Sequence, residues 1–149
     1  MKKLLVVLLG SILLLGVTGC SNKNVFSIGE ESDVLIEDKY VSFEIDKDTL
    51  TETSATVIFR NNSEYAVSYG TPYELEIKKN GKWHKINVEL FFNLPLMTLN
   101  SGESTNLEFN WAESYGKLAK GEYRIIKKIT VEIPNQPESF YVSSEFTIK

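Results

Sequence analysis

From Tyr40 to the end of the chain, apolar and polar residues alternate with a period of two. Val41, Phe43 and Ile45 interleave with Ser42, Glu44 and Asp46, and Ala55, Val57 and Phe59 with Thr56 and Arg60. Tyr73, Leu75 and Ile77 interleave with Glu74, Glu76 and Lys78, and Thr105, Leu107, Phe109 and Trp111 with Ser104, Asn106, Glu108 and Asn110. Tyr123 and Ile125 open a further run, and Phe140, Val142, Phe146 and Ile148 mark the last. Successive side chains of a strand point to opposite faces, so each run predicts a strand with one buried and one wet face. No segment of this region repeats at the helical period. Short strands separated by turn signals predict an all-β, antiparallel β-sandwich of about seven to nine strands.

Three stretches refine that expectation. Asn80-Gly81 accepts the positive φ angles of a tight hairpin. A two-residue loop there sets Ile77 opposite His84 and leaves Trp83 outside; a three-residue loop with a bulge sets Ile77 opposite Trp83 and turns the ring inward. The inward ring is the expectation, because of its size. Gly121-Glu122-Tyr123 resembles a tyrosine corner, in which the phenol bonds to backbone a few residues upstream. Val88 to Leu99 crowds Leu90, Phe91, Phe92, Leu94, Leu96, Met97 and Leu99 around Pro95. As a strand crossing between sheets these residues are core, the favoured reading; as a loop they form an apolar patch that marks a partner site.

The first 19 residues read differently. Met1-Lys2-Lys3 is a positive start, Leu4 to Leu15 an apolar run broken only by Gly10 and Ser11, and Gly16 to Gly19 a small-residue exit, the three-part layout of a signal peptide. Leu4 to Gly19 is 16 residues, short of the roughly 20 that a helix needs to span the hydrocarbon. The closing Val17-Thr18-Gly19-Cys20 resembles the lipobox of bacterial lipoproteins. That resemblance implies cleavage between Gly19 and Cys20 and acylation of the Cys20 thiol. Two or more acyl chains on one residue meet the requirement for stable anchoring. It places the mature protein on the extracytoplasmic face of the cell membrane, with the lipid bilayer as a partner. Three segments follow: a signal peptide over 1–19, a lipidated N-terminus and flexible tether over 20–39, and a sandwich domain over 40–149. The tether, rich in Ser, Asn, Glu and Asp, would reach about 60 Å if extended. Val34-Leu35-Ile36 within it has the makings of a short strand on the domain's edge.

A chain of 149 residues with net charge −4 allows one domain of this kind. Without Lys2 and Lys3 the mature part carries 14 basic against 20 acidic residues, about −6. That balance argues against nucleic acid, which requires a basic face, and against electrostatic adhesion to anionic lipid. The single cysteine excludes an internal disulfide and any Cys-based zinc site. His84 is the sole histidine, with no nucleophile elbow and no second histidine to make it catalytic or metal-binding. Asp46 and Asp48 lack an EF-hand pattern and read as a solvated turn. Asn61-Asn62-Ser63 reads as a β-turn. No enzyme activity, cofactor or metal is expected.

The stretches Asn61-Asn62-Ser63, Lys78 to Trp83, Leu99 to Glu103, Trp111 with Tyr115 to Leu118, Gly121 to Ile125 and Glu145 to Ile148 resemble a bacterial immunoglobulin-like domain family. The resemblance covers about Tyr40 to Lys149. It implies an immunoglobulin-like sandwich without the inter-sheet cysteine pair, its place filled by apolar residues such as Val57 and Ile125. It also implies a non-catalytic binding or envelope-assembly module with a protein or cell-wall partner. Phe91, Phe92, Leu94, Tyr65 and Tyr69 are the candidate partner surface. A looser similarity to the Bacillus intracellular proteinase inhibitor family implies an alternative, inhibition through an exposed sandwich loop.

Overall fold

The computed structural model describes residues 26–93 and 95–149. The segment expected to be a leader, the expected cleavage site and Cys20 lie outside the described residues, as does Leu94. Ten strands are found among the described residues: β1 (Ser27–Glu31), β2 (Val41–Asp46), β3 (Ser54–Asn61), β4 (Val67–Tyr69), β5 (Glu74–Lys79), β6 (Lys82–Asn87), β7 (Met97–Leu99), β8 (Ser104–Asn110), β9 (Gly121–Val131) and β10 (Glu138–Ile148). A single helical turn, α1 (Ala112–Tyr115), follows β8.

These strands make two antiparallel sheets. The smaller has the order β2-β3-β8. In the larger, β9 pairs along its whole length with β10 on one side. On its other side it pairs first with β5 and then with β4. β6 and β1 extend the sheet beyond β5, and β7 lies beside β4. The core forms between the sheets from the residues that the alternation placed inward, among them Val57, Phe59, Leu75, Ile77, Tyr123 and Ile125. Val57 and Ile125 are fully buried and occupy the inter-sheet space as expected. Trp111 and Tyr115 enter the same core with their polar atoms satisfied: Trp111 Nε1 donates to Glu52 O at 2.9 Å, and Tyr115 Oη accepts from Leu75 N–H at 3.0 Å.

The tyrosine corner is present. Tyr123 is fully buried and its hydroxyl donates to Ala119 O at 2.9 Å. Tyr123→Phe keeps the ring and strands that carbonyl, so it is expected to cost about 1 kcal/mol. Thermal unfolding of the two proteins checks this, and superimposable melts would reduce the corner to packing alone.

The structure corrects three expectations. Asn80 and Gly81 have φ of 52° and 79°, the two positive angles of a two-residue loop. Ile77 therefore faces His84, and Lys78 faces Trp83. The indole lies on the outer face of the sheet, not in the core, where it stacks beneath Arg124 at 4.8 Å. Second, the tether expected over 20–39 is folded structure from Phe26 onward. Phe26 is buried, β1 pairs with β6 with Ser27 opposite Asn87, and the chain then crosses the outer face of the large sheet to β10. There Ile36 bridges Tyr141, and Glu37 N–H donates to Tyr141 O at 2.9 Å. An edge strand offers a row of unpaired backbone groups, and this segment uses the edges of both β6 and β10. Third, the crossing core strand expected over Val88 to Leu99 is a strand only at Met97–Leu99, with Leu99 buried. The described residues between Asn87 and Met97 form a loop.

Candidate functional site

That loop joins two strands that would otherwise be continuous, since β6 runs beside β5 and β7 beside β4. Its inner side is held by Phe92, packed on Tyr73 at 5.4 Å, and by the Thr71 hydroxyl, which donates to Asn93 O. Tyr73 in turn packs edge-on against Phe109 at 4.9 Å. The outer side projects: Phe91 is 87% exposed and Leu96 74%. Leu90, Phe92, Tyr73, Ile126, Lys128 and Tyr141 line a shallow cleft of about 350 Å³ under it.

The five residues expected to form a partner surface are therefore divided. Phe91 is exposed, Phe92 half-buried, and Leu94 lies outside the described residues. Tyr65 is half-buried, with its carbonyl accepting from Asn61 Nδ2 at 2.7 Å. Tyr69 is corrected to core: β4 is flanked by β7 and β9, and the ring packs edge-on against Phe59 at 5.2 Å. Asn61 is more than a turn residue. Fully buried, it also donates to Leu99 O at 3.0 Å and accepts from Ser63 N–H at 2.9 Å, tying three segments together.

The burial of three charged side chains, Lys127, Glu76 and Arg124, was not anticipated from the sequence. Lys127 points into the core at 2% exposure and donates to Gly70 O at 2.6 Å and Pro72 O at 3.2 Å. It forms a wall of a cavity of about 420 Å³ with Tyr69, Tyr73, Phe92, Met97 and Phe109. Burial favours the neutral amine and pushes its pKa down to about 8. Burial likewise pushes the Tyr73 phenol up to about 12 and raises that of Tyr115. The ammonium thus acts as a tie, joining β9 to the crossover where the chain leaves β4 for β5. The signal was in the register, because Tyr123, Ile125, Ile129 and Val131 are all inward and Lys127 falls between them.

On the outer face, Glu76 is fully buried and Arg124 nearly so. Arg124 Nε and Nη2 approach Glu76 Oε2 at 2.7 and 2.6 Å, while Oε1 meets no donor among the described residues. Trp83 covers the guanidinium from one side, a cation–π contact with Lys78 also over the ring at 5.2 Å. The segment after β1 supplies Ser32, whose Oγ accepts from Arg124 at 3.3 Å.

The remaining candidates are structural. His84 Nδ1 lies 3.3 Å from Gly29 O at the β1–β6 seam. Asp46 Oδ1 accepts from Asp48 N–H at 3.1 Å and caps a 3-10 turn at Lys47–Thr49. No group of three or more His, Cys, Asp or Glu side chains is placed to hold a metal among the described residues.

Two facing antiparallel sheets with a tyrosine corner define an immunoglobulin-like β-sandwich, a fold class that supports a non-catalytic module. The family described as a bacterial Ig-like domain matches residues 37–147, and the chain belongs to it. β1 and the segment that crosses the sheet precede that match. No curated protein matches the chain. Among solved structures, a protein from Archaeoglobus fulgidus is similar over 77% of this chain and 98% of its own, at 20% identity and a TM-score of 0.29.

Proposed function

We propose that this protein is a bacterial lipoprotein, held on the extracytoplasmic face of the cell membrane by an acylated Cys20. There it presents its immunoglobulin-like module, without catalysis, to a protein or cell-wall partner. The observation that carries this reading is the order of the chain: a charged start, an apolar run and Val17-Thr18-Gly19-Cys20, followed six residues on by Phe26, the first of the described residues and already buried in the module. The thiol of Cys20 is a side chain able to form a thioether to diacylglycerol, and small Thr18 and Gly19 leave the bond before it open to a peptidase.

The test is membrane fractionation with acyl labelling of the full chain and of Cys20→Ala. The wild-type protein is expected in the membrane fraction and labelled. The variant is expected to lose the label while its module still unfolds cooperatively at the wild-type midpoint, since position 20 lies ahead of the sandwich. Unchanged labelling of Cys20→Ala would overturn the reading.

A further inference from the structure

The geometry points to a second contact with the membrane: the exposed apolar loop after β6, through Phe91 and Leu96, rests on the lipid surface beside the anchor. This inference depends on the lipoprotein reading and adds a defined orientation to it.

Three observations meet at one edge of the sandwich. The first is where the chain enters. Ser27 lies opposite Asn87 at the end of β6, so the segment from Cys20 reaches the module beside the residue from which the loop departs. Phe26 is buried at that point. Only residues 21–25 lie between Cys20 and Phe26, and at 3.3 to 3.6 Å per residue they extend to roughly 20 Å at most. A module on so short a leash keeps this edge close to the bilayer, whatever the rest of the molecule does.

The second is what that edge displays. Phe91 at 87% and Leu96 at 74% are among the most exposed large apolar side chains of the described residues. Ile28 of the adjoining edge strand is 46% exposed. The loop is pinned from within by Phe92 on Tyr73 and by Thr71 on Asn93 O, so Phe91 projects from a held frame. The third is charge. The mature chain is acidic by about six units, so a contact with an anionic bilayer has to be apolar, and among the described residues from Val88 to Leu96 Glu89 is the sole charged side chain. Phenylalanine and leucine gain from burial at the acyl boundary and need no partner for hydrogen bonds. Because the anchor holds the loop at a high effective concentration near the surface, a contact too weak to recruit the domain still populates the docked orientation.

The test uses the full-length lipidated protein reconstituted into phosphatidylethanolamine–phosphatidylglycerol vesicles, with and without lipid brominated on the acyl chain. Phe91→Trp and Leu96→Trp report from the loop. Ile58→Trp, 45% exposed on β3 of the smaller sheet, reports from elsewhere. Over the emission of the parent Trp83 and Trp111, the added fluorescence of the two loop variants is expected to be quenched at least twofold by brominated lipid, and that of Ile58→Trp to be unaffected. Acyl labelling of Cys20 together with equal, unquenched emission at all three sites would overturn this inference and leave the lipoprotein reading standing. A blue shift at the loop without quenching would put a protein there, a second copy included, and would equally overturn it. Absence of acylation would remove both readings at once.

Discussion

Arg124→Ala is expected to destabilise the module by about 3 to 5 kcal/mol, the cost of leaving one member of a buried ion pair alone. Glu76 has no exposed surface, its Oε1 has no donor among the described residues, and its Oε2 depends on Arg124 for both short contacts. Removing the guanidinium also strips the cover from Trp83 and releases Ser32. Urea unfolding followed by tryptophan fluorescence measures the loss. The paired replacement Glu76→Met with Arg124→Met should recover most of it, because apolar residues of similar size pay no desolvation penalty. A loss below about 1 kcal/mol for the single variant would mean that the pair behaves like an exposed salt bridge. Hydrogen exchange gives an independent reading: the Glu37 amide, bonded to Tyr141 O, should lose protection in Arg124→Ala if the crossing segment and the ion pair close over one another.

Stability is expected to rise as the pH increases from 8 to about 10, which is unusual for an acidic protein. The cause is Lys127. Below pH 8 it is protonated in the folded and unfolded chain alike, and the folded state bears the cost of a desolvated ammonium. Between about 8 and its ordinary value of 10.5, the unfolded chain binds more protons than the folded one, so the free energy of unfolding increases with pH. A difference of that size amounts to as much as about 3 kcal/mol. Tyr73 and Tyr115 act in the opposite sense at higher pH. Their phenols resist ionisation in the fold, so above pH 10 the unfolded chain loses protons first and stability falls. Denaturant titrations at pH 7, 8.5 and 10 on wild type and Lys127→Met isolate the lysine. The wild-type protein should gain over that window and the variant should not. Parallel profiles would show that the ammonium is solvated in the folded state.

Much of the sandwich was legible because the pleat links neighbouring positions rigidly. Once Val57 and Phe59 are inward, Ile58 has to be outward, and the structure has it 45% exposed on the far face of β3. The same rule was available at Lys127 but runs against chemistry, since lysine is almost never fully buried without a partner. Its partners are two backbone carbonyls, which no side-chain pattern announces. Trp83 failed for a local reason. One residue of loop length exchanges the faces of a hairpin, and the preference of Asn-Gly for two positive φ angles outweighed the size of the ring. The candidate surface was legible in composition and not in place. Val88 to Leu99 is equally apolar as strand or loop, and the choice falls to the crossover at Gly70 to Pro72, which divides one strand line into β4 and β5 and so interrupts the pairing of β6 and β7.

The sequence by itself determined the class of fold, the inward face of most strands and the tyrosine corner, all of which depend on residues within a few positions of one another. Tertiary structure alone decided what lies over the outer face of the large sheet and what lies at its edge. Arg124 meets Ser32 across 92 positions, Glu76 meets Arg124 across 48, and Lys127 meets Gly70 across 57. At such separations pairing depends on how whole strands are ordered in the sheet, and a period of two carries no record of that order. Burial of Glu76, the folding down of residues 26–37 and the exposure of Phe91 in the loop that leaves β6 at Asn87, opposite Ser27, are consequences of that order.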